Sequence, residues 1–316
     1  MPLVSILIPC YNADRWLVDT LESALSQTWP NCETILVDDG STDDSLAIAR
    51  SFEHRGVRVF AQPNRGACAA RNWARHEARG DFIQYLDADD LLLPDKIARQ
   101  IEALRMAGGA AALVSGEWAR FKDNPDTATI HADKLWRDND AISWETLALS
   151  GNLMMHPAAW LMTRELSDAT GEWNESLTLN DDGEYFSRAR FAAGNIQFVT
   201  GARSLYRSGI PHSLSSPHSR RALESAFLSH ELIHRLLLDH ENSPRTRQAC
   251  ADAWMHFAFV SAPLAPDLAN RAEQASTAMG GSNLQPTGGR IFRLTCQATG
   301  WRQAVRLRHL LNFSRS

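Results

Sequence analysis

The stretch Asp81-Phe82-Ile83-Gln84-Tyr85-Leu86-Asp87-Ala88-Asp89-Asp90 is an apolar run that stops on three acids within four residues. Strand-forming residues come first, and Pro94 with a helical pattern follows. This order predicts a buried strand that delivers the acids to the carboxyl edge of a parallel sheet, where open α/β folds bind ligands. Carboxylates so close repel one another. A divalent cation such as Mg or Mn, which prefers oxygen ligands and recruits phosphate oxygens, relieves that repulsion. The same residues also read as a solvated strand-to-helix loop with Asp90 as a helix N-cap.

Working outward, Val4 to Ile8 is an apolar strand, Pro9-Cys10-Tyr11-Asn12 a loop, and Leu17, Leu21, Ala24 and Leu25 share one face of a helix. Glu33 to Val37 forms a second strand that ends on Asp38-Asp39-Gly40, and Ser41-Thr42-Asp43-Asp44 reads as a capping box. Val57 to Phe60 is a third strand, and Pro63-Asn64-Arg65-Gly66 leads into a helix over 67–78. Strand and helix alternate, which predicts a parallel, doubly wound sheet through about residue 115.

Beyond that point the pattern loosens. Ala111 to Ser115, Pro157 to Met162 and Ser204 to Arg207 read as strands, Phe121 to Asp140 as an irregular loop, and Asp181 to Phe191 as a helix with an acid-rich first turn. From Ser219 the spacing of Leu223, Phe227, His230, Ile233 and Leu237 is helical, and a second helix surrounds Trp254, Phe257 and Ala258. Glycines at 280, 281, 288 and 289 mark a flexible linker.

A chain of 316 residues, 44% hydrophobic and 22% charged, can bury a sizeable core. Its net charge of -5 offers no global basic field for nucleic acid. Charge is unevenly placed, however: from Arg290 onward there are six Arg and no Asp, Glu or Lys. Arg mixed with Trp, Phe and Leu at partly helical spacing suits either an anionic bilayer surface or docking on the acidic body of the same chain. Five scattered cysteines without a CxxC pair fit a reducing compartment, and the N-terminus reads as a core strand rather than a signal peptide. No stretch is long and apolar enough to span a bilayer.

Asp38-Asp39 ends a strand as Asp87 to Asp90 do, so both acid groups belong on one sheet edge. An acid there either accepts from a nucleotide base or ribose, or caps the next helix. Four segments, Ser5 to Asn12, Val37 to Asp43, Asn64-Arg65-Gly66 with Arg71-Asn72, and Tyr85 to Asp90, resemble in order the motifs of family 2 glycosyltransferases of the GT-A fold. The resemblance covers roughly residues 1 to 215. It implies an α/β fold with a mostly parallel, Rossmann-like sheet flanked by helices and followed by a helical C-terminal region. The domain would be 1–215, with a nucleotide-sugar half over about 1–115 and an acceptor half over about 116–215. A helical region over 216–279, the linker 280–289 and the basic amphipathic tail 290–316 would follow.

Carried over by position, the resemblance puts Pro9, Tyr11, Asn12, Asp39, Asn64, Arg71 and Asp87 around the nucleotide, and Asp89 on a Mn or Mg ion that bridges the diphosphate. Gly171 to Leu177 followed by Asn180-Asp181-Asp182 resembles the acceptor side, where the family carries an acidic pair. The first acid is Asp181 where the family usually has Glu, and Asp182 then becomes the general base. These acids also suit the positive end of a helix. Trp160 and Trp173 are candidates for stacking on an acceptor sugar, although Trp more often packs inside. Arg207 is a candidate for the diphosphate and His212 for the metal.

The activity implied is inverting, metal-dependent transfer of a sugar from a nucleotide diphosphate, UDP by family habit, to a glycan or lipid-linked acceptor in cell-envelope polysaccharide synthesis. A cytoplasmic location follows, with a candidate peripheral contact on the inner face of the membrane through 290–316 and no nucleic-acid partner. A nucleotide-sugar-binding regulatory subunit without turnover is the alternative. A phosphohydrolase with Asp87 as nucleophile lacks the turn that such chemistry requires.

Overall fold

A continuous apolar run suits a strand covered on both faces, and Val4–Cys10 (β1) is buried at all seven positions. The computed structural model describes residues 1–108, 112–209 and 219–313. Leu17–Leu25 (α1), Cys32–Asp38 (β2), Ser45–Ser51 (α2), Val57–Ala61 (β3), Ala67–Glu77 (α3) and Phe82–Tyr85 (β4) continue the alternation. Next come Leu91–Leu92 (β5), Lys96–Met106 (α4), Leu113–Phe121 (β6), Asn139–Asp140 (β7) and Ala141–Gly151 (α5). Leu161–Thr163 (β8), Arg164–Thr170 (α6), Asp181–Ala193 (α7) and Asn195–Arg207 (β9) complete the α/β part.

All nine strands among the described residues join one sheet, in the order β3-β2-β1-β4-β8-β6-β9-β5, with β7 also on β9. β1 runs parallel to β2 and β4, and β2 to β3. Four carboxyl ends therefore reach one edge, the arrangement that the opening stretch predicts. The rest is mixed: β6 and β9 are parallel, while β8 opposes β4 and β6, and β5 and β7 oppose β9. Ile6, Ile8, Leu17, Leu21, Leu36, Ile97 and Ile101 fill one side of the sheet.

Three local expectations change. The capping box at Ser41 does not form, because the Ser41 hydroxyl accepts from the Asn12 N–H at 3.0 Å and α2 begins at Ser45. The strand expected at 157–162 is a short 3-10 turn over Pro157–Ala159 followed by β8. β9 is far longer than its expected last four residues. An irregularity hides it: β6 shifts register between Gly116 and Glu117, so that Gly116 pairs with Val199 but Glu117 with Arg203. The skipped residues hold Gly201 at φ 80°, and a Cβ on Gly116 would stand 2.2 Å from the Ala202 carbonyl oxygen. The bulge re-aims Arg203 to Arg207 along β5.

Two compact units divide the chain, Met1–Ala141 with Met155–Ser213, and Ile142–Met154 with Leu214–Ser316. The second is helical. Ser219 caps Arg220–His240 (α8) through its hydroxyl, and Ser243 with Thr246 forms a capping box on Pro244–Ser261 (α9). Pro266–Ala278 (α10) follows. The segment read as a linker, 280–289, has no helix or strand, yet it is tied to α9: Gln248 donates to the Gly281 carbonyl at 3.2 Å and Ser282 to Asp252 at 2.6 Å. Arg290–Thr299 (α11) and Trp301–Phe313 (α12) come last. Among the described residues no helix is long and apolar enough to cross a membrane.

Candidate active site

The loops beyond β1, β2 and β4 assemble the site. After β1, Tyr11 stands 47% exposed, which is unusual for so large a ring, while Pro9 is buried on the strand itself. Asn12 takes a left-handed φ of 49° and its side-chain oxygen accepts from the Thr42 N–H at 2.8 Å, so it braces the loop after β2.

Asp39 is 2% exposed and committed on both oxygens. Oδ1 accepts from Gln62 Nε2 at 2.6 Å and from the Arg65 N–H at 2.8 Å, and Oδ2 from the Gly66 N–H at 2.8 Å. It thereby holds the loop that carries the exposed Asn64 and opens α3. Gly40 permits this close approach, since a Cβ there would meet the Asn64 nitrogen at 2.7 Å and its φ is 74°. Asp38 is also buried; its Oδ2 accepts from the Ser41 N–H, and its Oδ1 has no hydrogen-bond partner among the described residues.

Arg71 joins the two halves of the site. Its guanidinium, 6% exposed, donates to Asp87 Oδ1 at 2.8 Å and to Asp181 Oδ2 at 2.7 Å, and lies 4.4 Å from the centre of the Trp173 ring. The Cys68 thiol, raised by burial and then by Asp181, also donates to Asp181 at 3.3 Å. Asp181 is thus neutralised at the start of α7 while Asp182 is not. Oδ1 of Asp182 accepts from the Gly183 N–H at 2.8 Å, and Oδ2 makes no hydrogen bond among the described residues. Burial and then the adjacent Asp181 push its carboxyl up to about 7, against the helix end that favours the anion.

Asp87 and Asp89 are half-buried on the loop after β4. Burial, then Asp90 and Asp87, hold the Asp89 carboxyl well above its usual range. No group of three or more His, Cys, Asp or Glu among the described residues is arranged to hold a metal alone. Two carboxylates with surplus negative charge nevertheless fit a Mg or Mn ion that takes its other ligands from phosphate oxygens and water.

Asp90 is not a helix cap. α4 begins at Lys96, and Asp90 is wholly buried. Its Oδ1 accepts from the Arg207 N–H at 2.8 Å, its Oδ2 stands 2.9 Å from His156 Nδ1, and His156 Nε2 stands 2.9 Å from Ser204 Oγ. Burial holds Asp90 above its usual range and pushes His156 down to about 3, so the imidazole is neutral at ordinary pH. Thr20 donates to both the Ala88 and Asp90 carbonyls at 3.0 Å. This network clamps the acidic loop to β9. Sequence reasoning missed His156, Ser204 and Thr20, which no local spacing connects.

Three residues expected at the acceptor or the diphosphate lie elsewhere. Trp160 is 1% exposed and stacks on Phe186, with ring centres 5.3 Å apart. Trp173 is 2% exposed and stacks on Tyr185 at 4.1 Å. Both are core, because ring stacking and burial stabilise them more than exposure to a sugar would. Arg207 is turned inward, donating to the Asp89 carbonyl at 2.9 Å and the Lys122 carbonyl at 2.8 Å; it braces the loop and does not point at a diphosphate. His212 lies outside the described residues.

The sequence profile of Glycosyl transferase family 2 matches residues 5–171. A putative teichuronic acid biosynthesis glycosyltransferase TuaG of Bacillus subtilis is 35% identical over 144 residues, covering 45% of this chain and 57% of that protein. The chain spans about half the length of the leading sequence relatives it matches. Among solved structures, S. aureus TarS 1-349 in complex with UDP superimposes with a TM-score of 0.67 at 16% identity, covering 98% of this chain and 92% of that one. The mannosyltransferase PcManGT from Pyrobaculum calidifontis, in complex with GDP-Man and Mn2+, gives a TM-score of 0.54 at 18% identity, covering 98% and 88%. These likenesses show the shared fold.

Proposed function

The chain belongs to glycosyl transferase family 2, and on that premise we propose that it moves a sugar, with inversion, from a nucleotide diphosphate to a hydroxyl of a glycan or lipid-linked acceptor. A UDP-sugar donor is supported by the UDP complex of TarS, and a role in cell-envelope polysaccharide synthesis by the likeness to TuaG. The observation that carries the reading is the Arg71 bridge between Asp87 and Asp181. It brings the acidic loop of the sheet edge and the start of α7 into one cleft.

In this reading Tyr11, Asn12, Asn64 and the loop held by Asp39 shape the nucleotide pocket, with Pro9 beneath it. Asp87 and Asp89 would hold a divalent metal, as the Mn2+ of PcManGT suggests; when bound it offsets the charge that grows on the leaving diphosphate. Asp182 takes the proton of the acceptor hydroxyl. A carboxyl near 7 is a better proton acceptor than an ordinary aspartate and is still half ionised at neutral pH. Asp181, already paired with Arg71, keeps Asp182 basic through its negative charge. Asp90, His156 and Arg207 act at one remove, as positioning residues for the metal loop. Such chemistry belongs in the cytoplasm, where nucleotide sugars are made.

The test is Asp182→Asn with a panel of nucleotide sugars and Mn. Transfer should fall by at least about 10²-fold, while donor binding, read by thermal stabilisation, stays intact. Full activity in the variant removes Asp182 as the base. Binding without turnover in the unaltered protein would favour a regulatory subunit.

A further inference from the structure

α12 has two unlike faces. On one, Ala304 and Val305 are buried, Trp301 sets its ring edge-on to Phe259 at 4.9 Å, and Arg302 pairs with Glu273 of α10. This docks the tail on its own unit. On the other, Leu307, Leu310 and Leu311, at i, i+3 and i+4, remain 46%, 65% and 64% exposed. α11 adds Ile291 and Leu294, 83% and 56% exposed and also three positions apart. Five of the eleven large exposed apolar side chains of the described molecule thus fall in its last two helices, a concentration that isolated surface leucines do not produce.

Charge surrounds this apolar surface. Arg290, Arg293 and Arg306 have no ion pair among the described residues, and Arg308 spreads over Phe292 at 4.1 Å while donating to the Thr287 carbonyl. The segment 290–316 contains six Arg and no acid. We infer that α11 and α12 form a docking surface for an anionic lipid bilayer, the leucines and Ile291 entering the acyl boundary and the arginines meeting phosphate headgroups.

Other occupants fit less well. A second copy of this surface would set arginine against arginine. A nucleic acid would satisfy the arginines, but the large exposed apolar side chains described there are aliphatic, and the described rings Phe292 and Trp301 are half-buried. A bilayer meets both demands at once, with hydrocarbon for the aliphatic stripe and phosphate for the arginines beside it.

Bilayer docking stands apart from the transfer reaction and is tested without it. The full chain is sedimented with vesicles of phosphatidylglycerol and phosphatidylcholine, and with phosphatidylcholine alone, at low and high salt. Binding should require the anionic lipid and weaken with salt. Leu307→Glu with Leu311→Glu, and separately Arg293→Glu with Arg306→Glu, should each lower the partition coefficient by about tenfold or more. The arginine pair is exposed, so its thermal unfolding should be unchanged; it decides the matter if the leucine pair does not fold. No sedimentation with anionic vesicles overturns the proposal, as does binding that both variants retain. Self-association in light scattering that the leucine variant abolishes, without vesicle binding, assigns the surface to a second copy instead.

Discussion

Asp39 and Asp89 both lie beyond the end of a parallel strand at the same sheet edge, one and four residues past it, yet their surroundings treat them oppositely. The loop after β3 turns two backbone N–H groups and the Gln62 amide onto Asp39, so its charge is spent on the protein. Among the described residues Asp89 receives no donor from the next loop: only its own backbone N–H turns to the carboxylate, Arg207 bonds its carbonyl, and its neighbours are Asp87 and Asp90. Strand-end position does not by itself make an acid available to a ligand. The donors delivered by the next loop decide.

The comparison breaks most readily at Asp89. Asp89→Asn should lower transfer by about 10³-fold and leave thermal stability unchanged or higher, since it removes a like charge; a folded, active variant would place Asp89 with Asp39. Next in size, His156→Ala strips Asp90 and Ser204 of a buried partner and should cost about 3 kcal/mol in a denaturant titration. A shift in midpoint too small to measure would show that the clamp is idle.

Asp182 sharpens the contrast through pH. With its carboxyl near 7, kcat/KM should fall about tenfold per pH unit below 7 and level off above it. The stability effect has the opposite sign. The folded carboxyl holds its proton more tightly than the unfolded one, whose ordinary value is 3.8, so its contribution is fully present below about 3.8 and is lost as pH rises through about 7. At pH 8 Asp182→Asn should therefore gain about 1–3 kcal/mol, and the gain should vanish near pH 4; a destabilised variant at pH 8 would contradict this. Smallest is Asp39→Asn, which leaves at least one donor unpaired and should cost about 1–2 kcal/mol by chemical denaturation, with the loss in stability exceeding the loss in turnover per bound donor.

How much of this was visible in the linear chain depends on the range of the physics involved. β1 through β4 are unbroken apolar runs bounded by turn residues, and a local window suffices to find them. β9 escaped because Gly201 and the bulge interrupt its alternation, and β5 because two leucines carry no pattern. Asp87, Asp89 and Asp182 stood out as acids at element ends. Asp90 stood among them and looked the least consequential, because the partners that bury it, His156 and Arg207, are far away in sequence. Trp160 and Trp173 mark the converse limit, since an aromatic residue reads alike whether a sugar or Tyr185 covers its face.

Gly116 has no chemistry of its own, yet its missing methyl leaves room for the Ala202 carbonyl of β9. The strand beyond that carbonyl carries Ser204 and Arg207 to Asp90. Any side chain at Gly116 would press on the Ala202 carbonyl and disturb that delivery, so a mutational scan that ranked positions by distance from the acids would overlook it.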